Sequence, residues 1–309
     1  MLIKNIDERS SDIGVLDALL QRTDISSKTR GQIARELNFI KAGVRGERET
    51  AYELKSYETS ANWAVIHDVR FEYEGAVAQI DHILINRLLE FYVLESKHFS
   101  EGVAINDHGE FTMFFGGKPI GIPSPIEQNK RHISVLKKII REKVALPSRI
   151  GVELRPSFYG YVVVSKRARI GRPRCKIDGV DSVVKADQIA SILENGVNYD
   201  SLLGGVFKLS KLVSSETLKE LAANVASLHK PKDYDWEAKF SINEKSSNFP
   251  LENGGISTED ATVNSGESKR RLICFACEKK ISFTVAKFCW NHSAKFGRNA
   301  YCMDCQKLV

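Results

Sequence analysis

The sequence predicts an α/β fold followed by a small C-terminal zinc-binding module, and three observations carry that prediction. Stretches with helical spacing of apolar residues alternate with short apolar runs of strand character along residues 10–229. Residues 231–270 then turn rich in Ser, Asn, Glu, Gly and Lys, a composition that cannot bury enough apolar surface to fold alone. Five of the six cysteines follow, between Cys274 and Cys305.

A chain of 309 residues has room for one or two domains. With 42% hydrophobic residues, most of it is expected to be globular rather than disordered. The formal net charge of +6 and the pI near 8.9 favour a polyanionic partner without requiring one. The first residues lack a signal-peptide pattern, and no apolar run reaches the length of a membrane span. The expectation is a cytoplasmic protein with no membrane partner.

Residues 10–42 read as helical, with Leu16, Leu19, Ile33, Leu37 and Ile40 at helical spacing. Gly43 and Gly46 are expected to interrupt the helix, and a new one to run from about Glu47 to Tyr57. Three strands follow: Trp63 to Phe71, Ala76 to Ile85 and Glu90 to Lys97. The last two form a hairpin over a short connection. Asp107-His108-Gly109 and Gly116-Gly117 punctuate another hairpin up to Lys118. Ser124-Pro125 starts a helix, with Ser as its cap and Pro in the first position. Ile126, Ile133, Leu136 and Ile140 mark its apolar face. Phe158 to Val164 reads as a buried strand, 176–195 as a strand and a helix, and 214–229 as a helix.

The sharpest chemical signal is Asp81 followed by Glu95-Ser96-Lys97. Two residues apart on a strand, Glu95 and Lys97 point to one face. The hairpin brings Asp81 beside them. Unpaired buried charges cost several kcal/mol or more, and a divalent cation shared by Asp81 and Glu95 would offset that cost. Carboxylate oxygens suit Mg²⁺ or Mn²⁺. Such a site fits phosphodiester hydrolysis. Lys97 would orient or deprotonate the water or stabilise transition-state charge, and the backbone carbonyl of Ser96 would complete the metal shell. Glu47 shares a helix face with Ala51 and Leu54, so it is a further shell member or water positioner, or else an exposed first-turn Glu that complements the helix dipole. His67, His98, His108 and His132 show no metal spacing, and His82 reads as structural. Lys130, Arg131, Lys137 and Lys138 read as a solvated helix face.

The motifs Gly43-x-x-Gly46-Glu47, Gln79-Ile80-Asp81-His82, Leu94-Glu95-Ser96-Lys97 and Pro125-x-x-Gln128 occur in an order that resembles the NERD (nuclease-related domain) family, a branch of the PD-(D/E)xK nuclease superfamily. The resemblance spans about residues 40–140. It implies a restriction-endonuclease-like mixed sheet flanked by helices, a divalent metal and DNA as substrate. It also implies that Gln128 faces the site, to hold a phosphate or orient Lys97 or the water; the alternative is a surface glutamine on its helix. Ser96 stands where Thr is commoner in the family, and Arg87-Leu88-Leu89 lacks the usual turn Gly.

Cys274-Phe275-Ala276-Cys277 and Cys302-Met303-Asp304-Cys305 form two Cys-x-x-Cys knuckles, suited to a structural Zn²⁺ held by Cys274, Cys277, Cys302 and Cys305. Cys289 reads as a packed free thiol that could substitute for a knuckle cysteine. Lys279, Lys280, Lys287, Lys295 and Arg298 among Phe275, Phe283, Phe296 and Tyr301 suit nucleic-acid contact by charge and stacking; the alternative is that the aromatics form the mini-core and the lysines keep it soluble.

The expected organisation is a helical lead-in (1–40), a nuclease-related core (41–165), a mixed α/β extension (166–230), a flexible linker (231–270) and a four-cysteine zinc module (271–309). The expected function is a metal-dependent DNA nuclease with Asp81, Glu95, Lys97, Glu47 and Gln128 in its site; a homodimer is left open. The rival readings are a catalytically silent DNA-binding protein and an adaptor that docks a partner through the zinc module.

Overall fold

The computed structural model describes residues 1–7, 9–196 and 212–242, together with 274, 276, 277, 279, 281, 285, 286, 288, 289, 300–303 and 305–307. The chain divides into two units, Met1–Ser247 and Asn248–Val309. No helix among the described residues is long and apolar enough to cross a membrane.

The first unit is built on a six-stranded mixed sheet in the order β1-β2-β3-β4-β10-β12. These strands are β1 (Leu2–Lys4), β2 (Trp63–Tyr73), β3 (Ala76–Asn86), β4 (Glu90–Lys97), β10 (Ser157–Val164) and β12 (Val183–Lys185). The β2-β3-β4 meander is antiparallel, and β1, β10 and β12 pair with their neighbours in parallel. A second sheet, ordered β11-β5-β6-β7, joins β5 (Gly102–Ile105), β6 (Phe111–Phe115), β7 (Lys118–Ile122) and β11 (Arg169–Gly171). A small hairpin pairs β8 (Ser148–Arg149) with β9 (Val152–Glu153).

Alternation along the strands explains why both faces of the main sheet are covered. Ile83, Ile85, Phe91 and Val93 pack with Leu136, Ile139 and Ile140 of α4 (Pro125–Lys143) and Leu218, Leu221 and Val225 of α6 (Ser215–Ser227). Leu84, Tyr92 and Leu94, one residue out of phase, pack with Leu54, with Tyr57 of α3 (Lys55–Glu58), and with Ile189 and Leu193 of α5 (Ile189–Gly196). Both parities are apolar because both faces are buried. Ser124 caps α4 by accepting from the Glu127 amide, with Pro125 in the first turn.

The β2-β3 turn uses Glu74 and Gly75, both at positive φ (49° and 75°), the conformation favoured in two-residue hairpins. The β3-β4 turn manages without glycine. Leu89 takes φ 59° there and is fully buried. Asn86 holds the turn, its Oδ1 accepting from the amides of Leu88 and Glu90.

Three sequence expectations change. Gly43 and Gly46 do not interrupt a helix: α2 runs unbroken over Ser27–Glu53. A Cβ at Gly46 would lie 3.2 Å from the His98 Cβ and 3.4 Å from its amide nitrogen, so this glycine admits close approach of α2 to the end of β4. In β10 only Val162, Val163 and Val164 are buried, and Tyr159 is 41% exposed. Tyr159 and Tyr161 stack on Tyr92 with ring centroids 5.1 and 6.5 Å apart, covering the core with rings whose polar ends stay at the surface. Finally, residues 231–242 lie inside the expected linker, yet they carry α7 (Trp236–Lys239). Trp236 is buried against Leu16 and Leu19 of α1 (Ser10–Gln21) and Ile33, Leu37 and Ile40 of α2. Its Nε1 donates to Asp12 Oδ1 at 2.8 Å. One large aromatic ring anchors a segment whose average composition is polar. The rest of that expected linker, 243–270, lies outside the described residues.

Candidate active site

The site forms where β3 and β4 part. Their pairing runs from Ile85↔Phe91 to His82↔Leu94 and stops there. The next opposed residues are Asp81 and Glu95. Both continue the row of side chains that faces α4, just past Ile83 and Val93. With the ladder ended, the Ser96 amide donates to Asp81 Oδ2 at 2.7 Å, so Asp81 satisfies a backbone donor that β3 no longer reaches.

Glu95 is buried, with 3% exposure. Its Oε1 accepts from Lys97 Nζ at 2.6 Å and from Gln128 Nε2 at 2.8 Å. His132 Nδ1 lies 3.4 Å from Glu95 Oε2. Gln128 and His132 are one turn apart on α4, so a single helix face delivers both. Burial pushes the Glu95 carboxyl up, but the nearby His132 and Lys97 together outweigh it and hold it below its ordinary value.

Asp81 and Glu47 behave oppositely. Burial, then the negative charges of Glu95 and Glu47, raise the Asp81 carboxyl well above its ordinary value, against the Ser96 amide and Lys97. Burial also raises Glu47; Arg9 opposes it, Asp68 and Glu95 add to it, and Lys97 opposes it. The five residues expected from the sequence, Asp81, Glu95, Lys97, Glu47 and Gln128, thus act on one another in one place. Three carboxylates share one ammonium, and two of them are held up towards protonation.

Two residues of this site escaped the sequence reading. His132 shows no metal spacing in the sequence; its position four after Gln128 is the signal that it shares the face. Asp68 is 5% exposed and sits within β2 at φ 48°. Such a conformation costs a non-glycine residue about 1–3 kcal/mol. Asp68 Oδ1 accepts from Gln79 Nε2 at 3.4 Å, and its charge bears on Glu47. The Glu74-Gly75 turn sets Asp68 opposite Asp81, between the pairs His67↔His82 and Val69↔Ile80. Counting back from that turn would have found it.

Behind the carboxylates lies a buried polar chain. His67 and His82 meet Nδ1 to Nδ1 at 2.7 Å. His82 Nε2 contacts Ser96 Oγ at 3.1 Å, and Ser96 Oγ donates to Thr50 Oγ1 at 2.9 Å. Thr50 Oγ1 in turn donates to the Gly46 carbonyl at 3.2 Å. Burial lowers His67 and lowers His82 further, where His67 adds to the effect. Neutral rings therefore fix Ser96 from the face opposite the carboxylates.

The donor set suits a hard divalent cation: carboxylate oxygens whose mutual repulsion Lys97 only partly offsets. They are more widely spaced than a closed cage. Among the described residues, only the four cysteines form a group of three or more His, Cys, Asp or Glu ligand atoms all within 4.8 Å of one another.

Those four are Cys274, Cys277, Cys302 and Cys305 of the second unit. The Cys277 and Cys302 sulfurs are 3.6 Å apart. Tetrahedral zinc with Zn–S bonds of about 2.3 Å requires sulfurs about 3.8 Å apart, so the cluster fits a small zinc-binding module. Burial pushes the Cys274 thiol up, but backbone amides of Cys302, Cys277 and Ala276 outweigh it and bring it down to about 6. Neighbouring Cys302 and Cys277 push Cys305 up to about 12. Cys289 is buried outside the cluster, its sulfur accepting from the Tyr301 amide at 3.3 Å and Gln306 Nε2 at 3.2 Å. Lys280, Lys287, Lys295, Arg298, Phe275, Phe283 and Phe296 lie outside the described residues.

Comparison with known families matches residues 42–165 to the NERD family model, nuclease-related domain. That span includes Glu47, Asp81, Glu95, Lys97, Gln128 and His132, and it supports a nuclease-related function. No curated protein and no solved structure matches the chain.

Proposed function

We propose that the first unit is a metal-dependent deoxyribonuclease and that the second is a structural zinc module. The observation that carries this reading is the Asp81–Glu95–Lys97 cluster at the end of the β3-β4 ladder, inside the segment that matches the nuclease-related domain.

Asp81 and Glu95, with the Ser96 carbonyl, would hold Mg²⁺ or Mn²⁺. Bound there, the cation supplies Lewis-acid polarisation of a phosphate and a lowered pKa for an attacking water. The protein's own residues do the rest. Lys97, tethered to Glu95 at 2.6 Å, carries a mobile proton donor to the phosphate oxygens as charge builds in the transition state. Gln128 fixes the same Glu95 oxygen from α4, so Glu95 is oriented before substrate arrives. Glu47, on the α2 face beside Asp81 and Glu95 and raised by burial even against Arg9, would complete the metal shell or position the attacking water. The His82–Ser96–Thr50 chain holds the backbone that joins Glu95 to Lys97.

The test is cleavage of labelled single-stranded, double-stranded and branched DNA with Mg²⁺ or Mn²⁺. Wild type is expected to cut at least one of them, and chelator or Glu95→Gln to abolish cutting. Absence of wild-type cleavage on all three would contradict the reading.

A further inference from the structure

A second feature of the first unit lies outside the carboxylate cluster yet leads to it. Between the first turns of α1 and the C-terminal half of α2 runs a groove of about 550 Å³. Arg9, Lys41, Arg45 and Arg48 line it, and no acidic residue does among the described residues. The helical repeat explains the row: Lys41, Arg45 and Arg48 recur at i, i+4 and i+7 on one face of α2. Gly14 of α1 opens the facing wall, since a Cβ there would meet nothing within 4 Å.

The acidic residues of the same stretch are engaged away from Arg45 and Arg48. Glu49 accepts from Ser165 Oγ at 3.1 Å and from the Lys166 amide at 3.0 Å. Glu53 pairs with Lys166 at 3.4 Å. Asp12 holds Trp236. Asp17 reaches Lys41 at 3.5 Å between half-exposed side chains, a contact worth little in water. Arg45 and Arg48 are exposed, and no carboxylate pairs with either among the described residues. Arg45 and Arg48, with Arg9 and Lys41 beside them, give the groove an excess of positive charge that favours a polyanion.

One residue relates the groove to the candidate site. Arg9 lines it, lines an adjoining cleft of about 330 Å³ that contains Asp68 and Gln79, and acts on Glu47. Glu47 itself lies between Arg45 and Arg48 on α2.

We propose that this groove is a binding track for the sugar–phosphate backbone of DNA, with Arg45 and Arg48 contacting phosphates beyond the scissile one and Arg9 guiding the strand towards Glu47. The proposal rests on the nuclease reading for its substrate, but its physics concerns binding alone. Arginine forks suit phosphate oxygens, and the contacts are independent of base sequence.

The test is fluorescence anisotropy of the full-length, zinc-loaded protein with a labelled DNA duplex in buffer free of Mg²⁺ and Mn²⁺, across a series of salt concentrations. Arg45→Ala/Arg48→Ala is expected to weaken binding roughly tenfold or more and to make the salt slope shallower by about 2, the value for two lost phosphate contacts. Arg45→Lys/Arg48→Lys should restore most of both. Lys118→Ala/Lys219→Ala removes equal charge from β7 and α6 and should bind like wild type. Groove variants that bind like wild type, an equal loss in the Lys118/Lys219 control, or a wild type that does not bind duplex would each overturn the track. Groove-dependent binding without cleavage by wild type would sustain the track and sink the nuclease reading instead.

Discussion

Asp81 carries a charge that its buried setting disfavours. It faces Glu95 across the end of the ladder, and burial and two carboxylates raise it well above its ordinary value. The linkage consequence has a definite sign. The folded chain holds protons at Asp81 and Glu47 that the unfolded chain has already released. Stability contributed by these groups is therefore present at low pH and falls as pH rises from the ordinary carboxylate range through their raised values. Glu95, held below its ordinary value, works in the opposite direction at lower pH. Thermal melts of chelated protein across that range should show Tm dropping more for wild type than for Asp81→Asn. Mg²⁺ should restore most of the wild-type loss at the upper end. A wild-type curve that parallels Asp81→Asn would contradict the electrostatics. Residue patterns conveyed much of this site. Asp81, Glu95 and Lys97 are spaced as strand chemistry requires, and Gln128 follows a clear helix cap. Asp68 and His132 escaped because each depends on a partner element: Asp68 on hairpin register, His132 on which face of α4 meets β4.

At the scale of elements, α2 decides how far Glu47 stands from the sheet. Its two glycines look alike in sequence and differ in surroundings. A Cβ at Gly43 would lie 3.8 Å from Glu47 Oε1, an ordinary contact, whereas one at Gly46 would press on His98. Gly43→Ala should stabilise the protein by up to about 1 kcal/mol through helix propensity alone. Gly46→Ala should destabilise it by about 1–3 kcal/mol through overpacking, and should lower cleavage further by moving Glu47 away from Glu95. Paired denaturation and cleavage measurements check both; equal effects at the two positions would contradict the packing. The same pair shows why the sequence misplaced a helix end. Glycine weakens a helix on average, but buried close approach can demand it, and only the tertiary contact with His98 reveals which rule governs. Periodicity located Glu90–Lys97 and the α4 start because caps and alternation are local signals. It misjudged β10 because tyrosines read as buried when only their rings are covered, and it missed α7 because one tryptophan outweighed a polar window.

Across the whole molecule, two chemically different metal sites are expected in two units. The cysteine cluster holds its sulfurs at zinc spacing, and so small a unit needs such a staple. Cys302→Ser or a strong zinc chelator should remove bound zinc from that unit. The main melting transition of Met1–Ser247 should remain, because its core is formed by its own helices and sheets. Loss of both transitions together would contradict that independence. The central claim, however, concerns Lys97 and its carboxylates. The most direct measurement is the single-turnover cleavage rate of Lys97→Met at saturating DNA and Mg²⁺, with binding followed by anisotropy. The account predicts a fall of about 10²–10³-fold in rate, as for loss of a transition-state donor, with DNA affinity nearly unchanged. A Lys97→Met protein that cleaves at the wild-type rate would contradict it.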